Sequence, residues 1–115
     1  MSFTCEVSEE SGVKVFTLTG RLMDQAEADG LTSALKQEIE NGHSNIVLDL
    51  SGLKYMNSTG LNIMINVLTK TRNAGGEAII INVSESVKQL FVVTKLDTIF
   101  TIMSSKEDAF KRLKA

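Results

Sequence analysis

The 115-residue sequence has no proline and no tryptophan, and only one cysteine, one histidine and one tyrosine. A single thiol, Cys5, permits no intramolecular disulfide, and a reducing, cytoplasmic setting is expected. Cys5 and the lone histidine, His43, lie far apart in the chain, which leaves little support for a Cys–His pair or a thiolate zinc site. No stretch approaches the ~20 apolar residues of a membrane span. The start, "MSFTCEVSEE", has neither a basic segment nor an apolar run, so no secretory leader is expected. Neither sign of charge dominates, with 12 Lys and Arg against 14 Asp and Glu and a net charge of -2. That balance argues against direct nucleic-acid binding, which relies on clustered cations. No linker, repeat or low-complexity run divides the sequence, so residues 1–115 are expected to form one domain.

What is present is a regular alternation of strands and helices. "FTCEV" (3–7) and "VKVFTLTG" (13–20) read as strands joined by the polar turn "SEESG". Asp24 and Glu27 have the spacing of a capping box ahead of an apolar stripe, Ala28, Leu31, Leu35 and Ile39, with "NG" at 41–42 as the stop. "NIVLDL" (45–50) and "EAIIINV" (77–83) are almost wholly apolar, as expected of strands covered on both faces. Between them "STGLNIMINVLTKTRNAGG" (58–76) reads as a helix ending at Gly75 and Gly76. Ser84 is placed to cap a short helix with Val87, Leu90 and Phe91 on its apolar face. "TIFTIMS" (98–104) reads as a last strand, and "SKEDAFKRLKA" as a closing helix capped near Ser105. The order β-β-α-β-α-β-α-β-α implies an α/β domain with a mixed sheet, the first two strands forming a hairpin and the rest pairing in parallel.

Few residues suggest catalysis. There is no G-x-S-x-G elbow, no Walker A loop and no G-x-G-x-x-G. His43 reads as a solvated loop residue, and no nucleophile–base pair stands out, so no enzyme activity and no cofactor are expected. The informative stretch is "KYMNSTGLNIM" (54–64), where Asn57, Ser58, Thr59 and Gly60 lie between an apolar strand and an apolar helix. Asn57 or Ser58 at the N-cap would accept a hydrogen bond from a free backbone N–H, worth on the order of 1 kcal/mol. Leu61, Met64, Ile65 and Leu68 mark the sheet-facing stripe. Ser58, Asn62 and Asn66 follow at i, i+4 and i+8 as a polar row, while Ile63 and Val67 fall off the stripe and widen the apolar surface. That widened surface leaves room for weak self-association.

The segments "IVLDLSGLKYMNSTGLNIM", "NAGGEAIIINVSESVKQLF" and "TKLDTIFTI", with "LTGRLM" before the first helix, resemble the bacterial anti-sigma factor antagonists, the small STAS domains. The resemblance runs over nearly the whole chain and implies a binding module on a mixed sheet with packed helices. It implies that Ser58 is phosphorylated by an anti-sigma factor that is itself a serine kinase. The unphosphorylated form would bind that kinase and free a sigma factor, and a PP2C-type phosphatase would reset the cycle. Asn57, Thr59, Gly60, Asn62, Ile63 and Asn66 would then line the partner contact. Two positions depart from the family pattern: Asn57 stands where Asp is common, and Asn62 where Gly is common. Two other readings follow from the same residues. In one the chain is a constitutive STAS subunit of a lipid-transport complex or signalling scaffold, with Ser58 only a helix cap. In the other it is a small nucleotide-binding enzyme, a reading that lacks a phosphate-binding loop.

Overall fold

The computed structural model describes residues 3–114, so Met1, Ser2 and the final Ala115 of the expected closing helix lie outside the described residues. The first two strands, β1 (Thr4–Glu10) and β2 (Val13–Leu22), pair antiparallel. Their two-residue turn has φ of 54° at Ser11 and 79° at Gly12, the mirror-image turn whose twist matches that of paired strands. β1 therefore runs through Ser8, Glu9 and Glu10, which the polar pattern had suggested as turn. Those residues sit on an exposed edge strand, where polar side chains are no obstacle to pairing, and Glu9 meets Lys14 across the hairpin at 3.0 Å.

β3 (Ile46–Met56), β4 (Ala78–Ile81) and β5 (Thr101–Met103) then add in parallel, giving the strand order β1-β2-β3-β4-β5. The connecting helices are α1 (Asp29–Glu40), α2 (Ser58–Asn73) and α3 (Glu85–Val93), followed by a 3₁₀ turn (Leu96–Thr98) and the last helix, α4 (Lys106–Lys114). Crossovers of one hand that always advance in the same direction put α1, α2 and α3 on one face of the sheet. The main core lies there, with Phe16, Leu18, Leu48 and Ile80 packed under Leu31, Leu35, Met64, Leu68, Val87 and Phe91. Full burial of each such side chain contributes roughly 1.5–3 kcal/mol. The back face, Val13, Val15, Val47, Ile79 and Ile81, is covered by Ala109, Phe110 and Leu113 of α4. Cover on both faces explains why β3 and β4 are so uniformly apolar.

Several element ends move from where the pattern put them. α1 begins at Asp29, not beside Asp24. Asp24 does cap, accepting from the Glu27 N–H at 2.8 Å, but it closes a separate turn over residues 25–28. β4 stops at Ile81 because Asn82 takes φ of 57°. The last strand begins only at Thr101, because Thr98 closes the 3₁₀ turn and Ile99 and Phe100 continue the bend out of it. The stops at the other end hold: the N–H groups of Gly75 and Gly76 return to the carbonyls of Arg72 and Thr71, the paired bonds of a Schellman motif. Ser84 and Ser105 cap α3 and α4 as expected.

One correction bears on the surface. Ile63 and Val67 are each only 1% exposed. α2 lies over β3 and β4 and also packs against α1, so a wider arc of it is buried than a helix with one neighbour would bury. The apolar face expected to meet a second copy is thus inside the fold, and Ile63 is not available as a partner contact.

Candidate functional site

The candidate site lies at the carboxyl end of β3, where Met56 ends the strand and Asn57 turns the chain into α2. Asn57 holds this junction with three hydrogen bonds. Its backbone N–H donates to the Leu22 carbonyl at 3.4 Å, and its Oδ1 accepts from the Gly60 N–H at 2.9 Å. Its Nδ2 donates to the Met23 carbonyl at 2.9 Å. Asn57 is therefore the N-cap, and its amide serves from both ends. A carboxylate at this position could accept from Gly60 but could not donate to Met23.

Ser58 is the first residue of α2 and is exposed. Its hydroxyl has no hydrogen-bond partner among the described residues, since Asn57 already caps the helix. This corrects the reading in which Ser58 serves only as a cap. Thr59, Asn62 and Asn66 are exposed as well, so the polar row running from Ser58 along the helix lies at the surface. No charged residue occurs in α2 before Lys70.

Gly60 does not belong to that surface; it is buried, which corrects its place among the contact residues. A Cβ there would collide with the Leu22 carbonyl oxygen and lie 2.9 Å from Met56 Cβ. Glycine lets the first turn of α2 settle directly onto the ends of β2 and β3, and so fixes where Ser58 emerges.

Two neighbours carried no signal in the linear pattern. Arg21 and Tyr55 are partners in the β2–β3 register, and the Arg21 guanidinium lies 5.8 Å from the centre of the Tyr55 ring. Only the shifted parallel register, with irregularities at Thr17/Thr19 and Gly20/Arg21, brings them together.

Elsewhere the chemistry is sparse. Among the described residues no group of three His, Cys, Asp or Glu side chains could hold a metal ion. His43 is exposed and its Nδ1 lies 2.9 Å from Glu38 Oε1. Cys5 packs against the main core, and burial, with a smaller push from Glu6, raises its thiol to about 11. A cavity of about 390 Å³ lies between Asn82, Lys88 and Ser104, and one of about 530 Å³ between Lys36, Ile39 and Lys70. Neither is lined by Ser58.

A family model described as the STAS domain matches residues 4–109. The chain belongs to the STAS domain family. Among curated relatives, this STAS domain is 26% identical over 114 residues to the anti-sigma F factor antagonist of Paenibacillus polymyxa, covering 98% of this chain and 97% of that protein. It is 29% identical over 98 residues to BtrV of Bordetella bronchiseptica, a protein provisionally named an anti-sigma factor antagonist, covering 85% and 84% of the two chains. Among solved structures, the fold matches an anti-sigma factor antagonist from Mycobacterium paratuberculosis with a TM-score of 0.83 at 24% identity, over 99% of this chain and 96% of that one. Among the described residues no helix is long and apolar enough to cross a membrane.

Proposed function

We propose that this STAS domain is an anti-sigma factor antagonist switched by phosphorylation of Ser58. In this reading it acts in the cytoplasm as a binding protein without enzyme activity. Unphosphorylated, it binds an anti-sigma factor that is also a serine kinase, and so releases a sigma factor for transcription. Transfer of the ATP γ-phosphoryl group to Ser58 Oγ ends the complex, and a PP2C-type phosphatase restores the free hydroxyl. The observation that carries the reading is the exposed Ser58 hydroxyl, unengaged beside a turn that Asn57 has already capped. It is supported by the antagonist names of the curated relatives.

The energetics are those of local charge. Phosphate adds roughly -1.5 to -2 charge to a helix face that has no charge before Lys70. At the start of α2 the free N–H groups and the dipole favour that charge by only ~0.3–1 kcal/mol. Burying it unpaired beneath a partner costs several kcal/mol. Moving a complex from almost fully bound to almost fully free takes about 5.5 kcal/mol, so one phosphate at the centre of the contact is of the right size without refolding the domain.

The test is incubation with ATP and the anti-sigma factor kinase encoded in the same genome. One phosphate is expected by mass spectrometry, lost in Ser58→Ala, retained in Thr59→Ala, and accompanied by release of the kinase. Absence of phosphate with every such kinase overturns the reading.

A further inference from the structure

We propose that Arg21 and Tyr55 form a ready-made anchor for a carboxylate, so that the protein covering Ser58 is acidic where it meets the ends of β2 and β3. The inference rests on the antagonist reading and names the chemistry of the partner at the same site.

The chain has three arginines. Arg72 donates to the Ile99 carbonyl at 2.9 Å, and Arg112 pairs with Glu77 at 3.3 Å. Arg21 is exposed and has neither hydrogen bond nor ion pair among the described residues. Its guanidinium nonetheless lies over the ring of the only tyrosine of the chain, 5.8 Å from the ring centre and within cation–π range. Tyr55 itself is 45% exposed, and its hydroxyl has no partner among the described residues. An arginine drawn to an aromatic face keeps its planar fork of donors free and loses less freedom on binding than an unrestrained one. That fork fits a carboxylate at two points.

Position joins the pair to the site. Tyr55 and Ser58 are three positions apart in the chain, a span of at most about 11 Å. A partner of ordinary footprint covers about 800 Å² of one protein, a disc of about 16 Å radius. Anything of that size centred on Ser58 therefore reaches the Arg21–Tyr55 pair. Tyrosine and arginine are also the residue types that most often dominate protein interfaces.

The experiment measures binding of the unphosphorylated full chain to its anti-sigma factor by calorimetry, with Ser58 phosphorylation read in parallel. Arg21→Glu is expected to weaken binding by at least about tenfold and to abolish its weakening by salt. Arg21→Lys restores only part of the affinity, because an ammonium lacks the fork. Tyr55→Phe stays near wild type, whereas Tyr55→Ala weakens binding about tenfold. Both residues lie at the surface, so unchanged melting temperatures accompany these effects. Equal binding by wild type and Arg21→Glu overturns the anchor while leaving the antagonist reading standing. A defect confined to the phosphorylated form also overturns it, and assigns Arg21 to the chain's own phosphoserine. A wild type that neither binds nor is phosphorylated overturns both.

Discussion

Replacing Gly60 by alanine adds a single methyl group at the point where α2 touches the strand ends. The methyl meets the Leu22 carbonyl oxygen and Met56 Cβ, the latter at 2.9 Å. Leu22 cannot yield freely, because its carbonyl accepts the Asn57 N–H that holds the junction. Overpacking of this kind costs about 1–3 kcal/mol. Alanine returns up to ~1 kcal/mol through its better helix propensity. The balance is a net loss of about 1–2 kcal/mol, or a melting temperature lowered by about 4–10 °C in a domain of this size. Gly30→Ala is the control. Gly30 also lies in a helix, but a Cβ there has nothing within 4 Å, so the same change should raise the melting temperature by a few degrees. Thermal unfolding of the two variants followed by circular dichroism compares them directly. A Gly60→Ala protein that melts at or above wild type would refute the claim that close backbone approach positions Ser58.

Asn57→Ala should lower stability by about 1–2 kcal/mol in urea titrations, since it removes the cap and leaves the Met23 carbonyl without its donor. Asn57→Asp keeps the acceptor for Gly60 and should fall between alanine and wild type; equality with alanine would show that the Oδ1 contact contributes nothing. Cys5, with its thiol pushed up to about 11, should react with a thiol reagent at pH 8 far more slowly in the folded protein than in urea, and rapid labelling of the folded form would contradict its burial. Lys14 holds Glu9 below its ordinary value of 4.5, so that contribution is present above pH 4.5 and disappears as the pH falls through the lowered value. Glu9 in turn holds Lys14 above 10.5, so its contribution is present below pH 10.5 and is lost as the pH rises through the raised value. The stability difference between wild type and Lys14→Met should therefore be constant across neutral pH and shrink at both extremes; a difference unchanged at pH 3 would exclude the pair as its source.

The order of elements and the hairpin were legible because each strand carries its period and each helix its cap. β4, with all four residues buried, reads plainly as an interior strand. β3 was cut short in the linear pattern because Ser51, Lys54 and Tyr55 look like loop, yet the strand continues through them to Met56 past two shifts in register. Such shifts are set by neighbouring strands and leave no mark in composition. Ser58 and the row through Asn62 and Asn66 were found correctly at the surface. Ile63 and Val67 were misplaced because periodicity counts one packed face, whereas α2 has α1 beside it as well as the sheet beneath. The choice between Asn57 and Ser58 as cap depended on one backbone angle, ψ of -170° at Asn57, which either residue could have adopted.

The unbroken strand order has a bearing on what this domain can grip. In doubly wound sheets the order reverses, helices diverge to opposite sides at that point, and a crevice opens in which nucleotides and other small molecules lodge. Here β1 to β5 never reverse, so no crevice of that kind opens between helices diverging to opposite sides. What the sheet's rim presents beside β3 is instead the uncharged first turn of α2, exposed at Ser58 and Thr59.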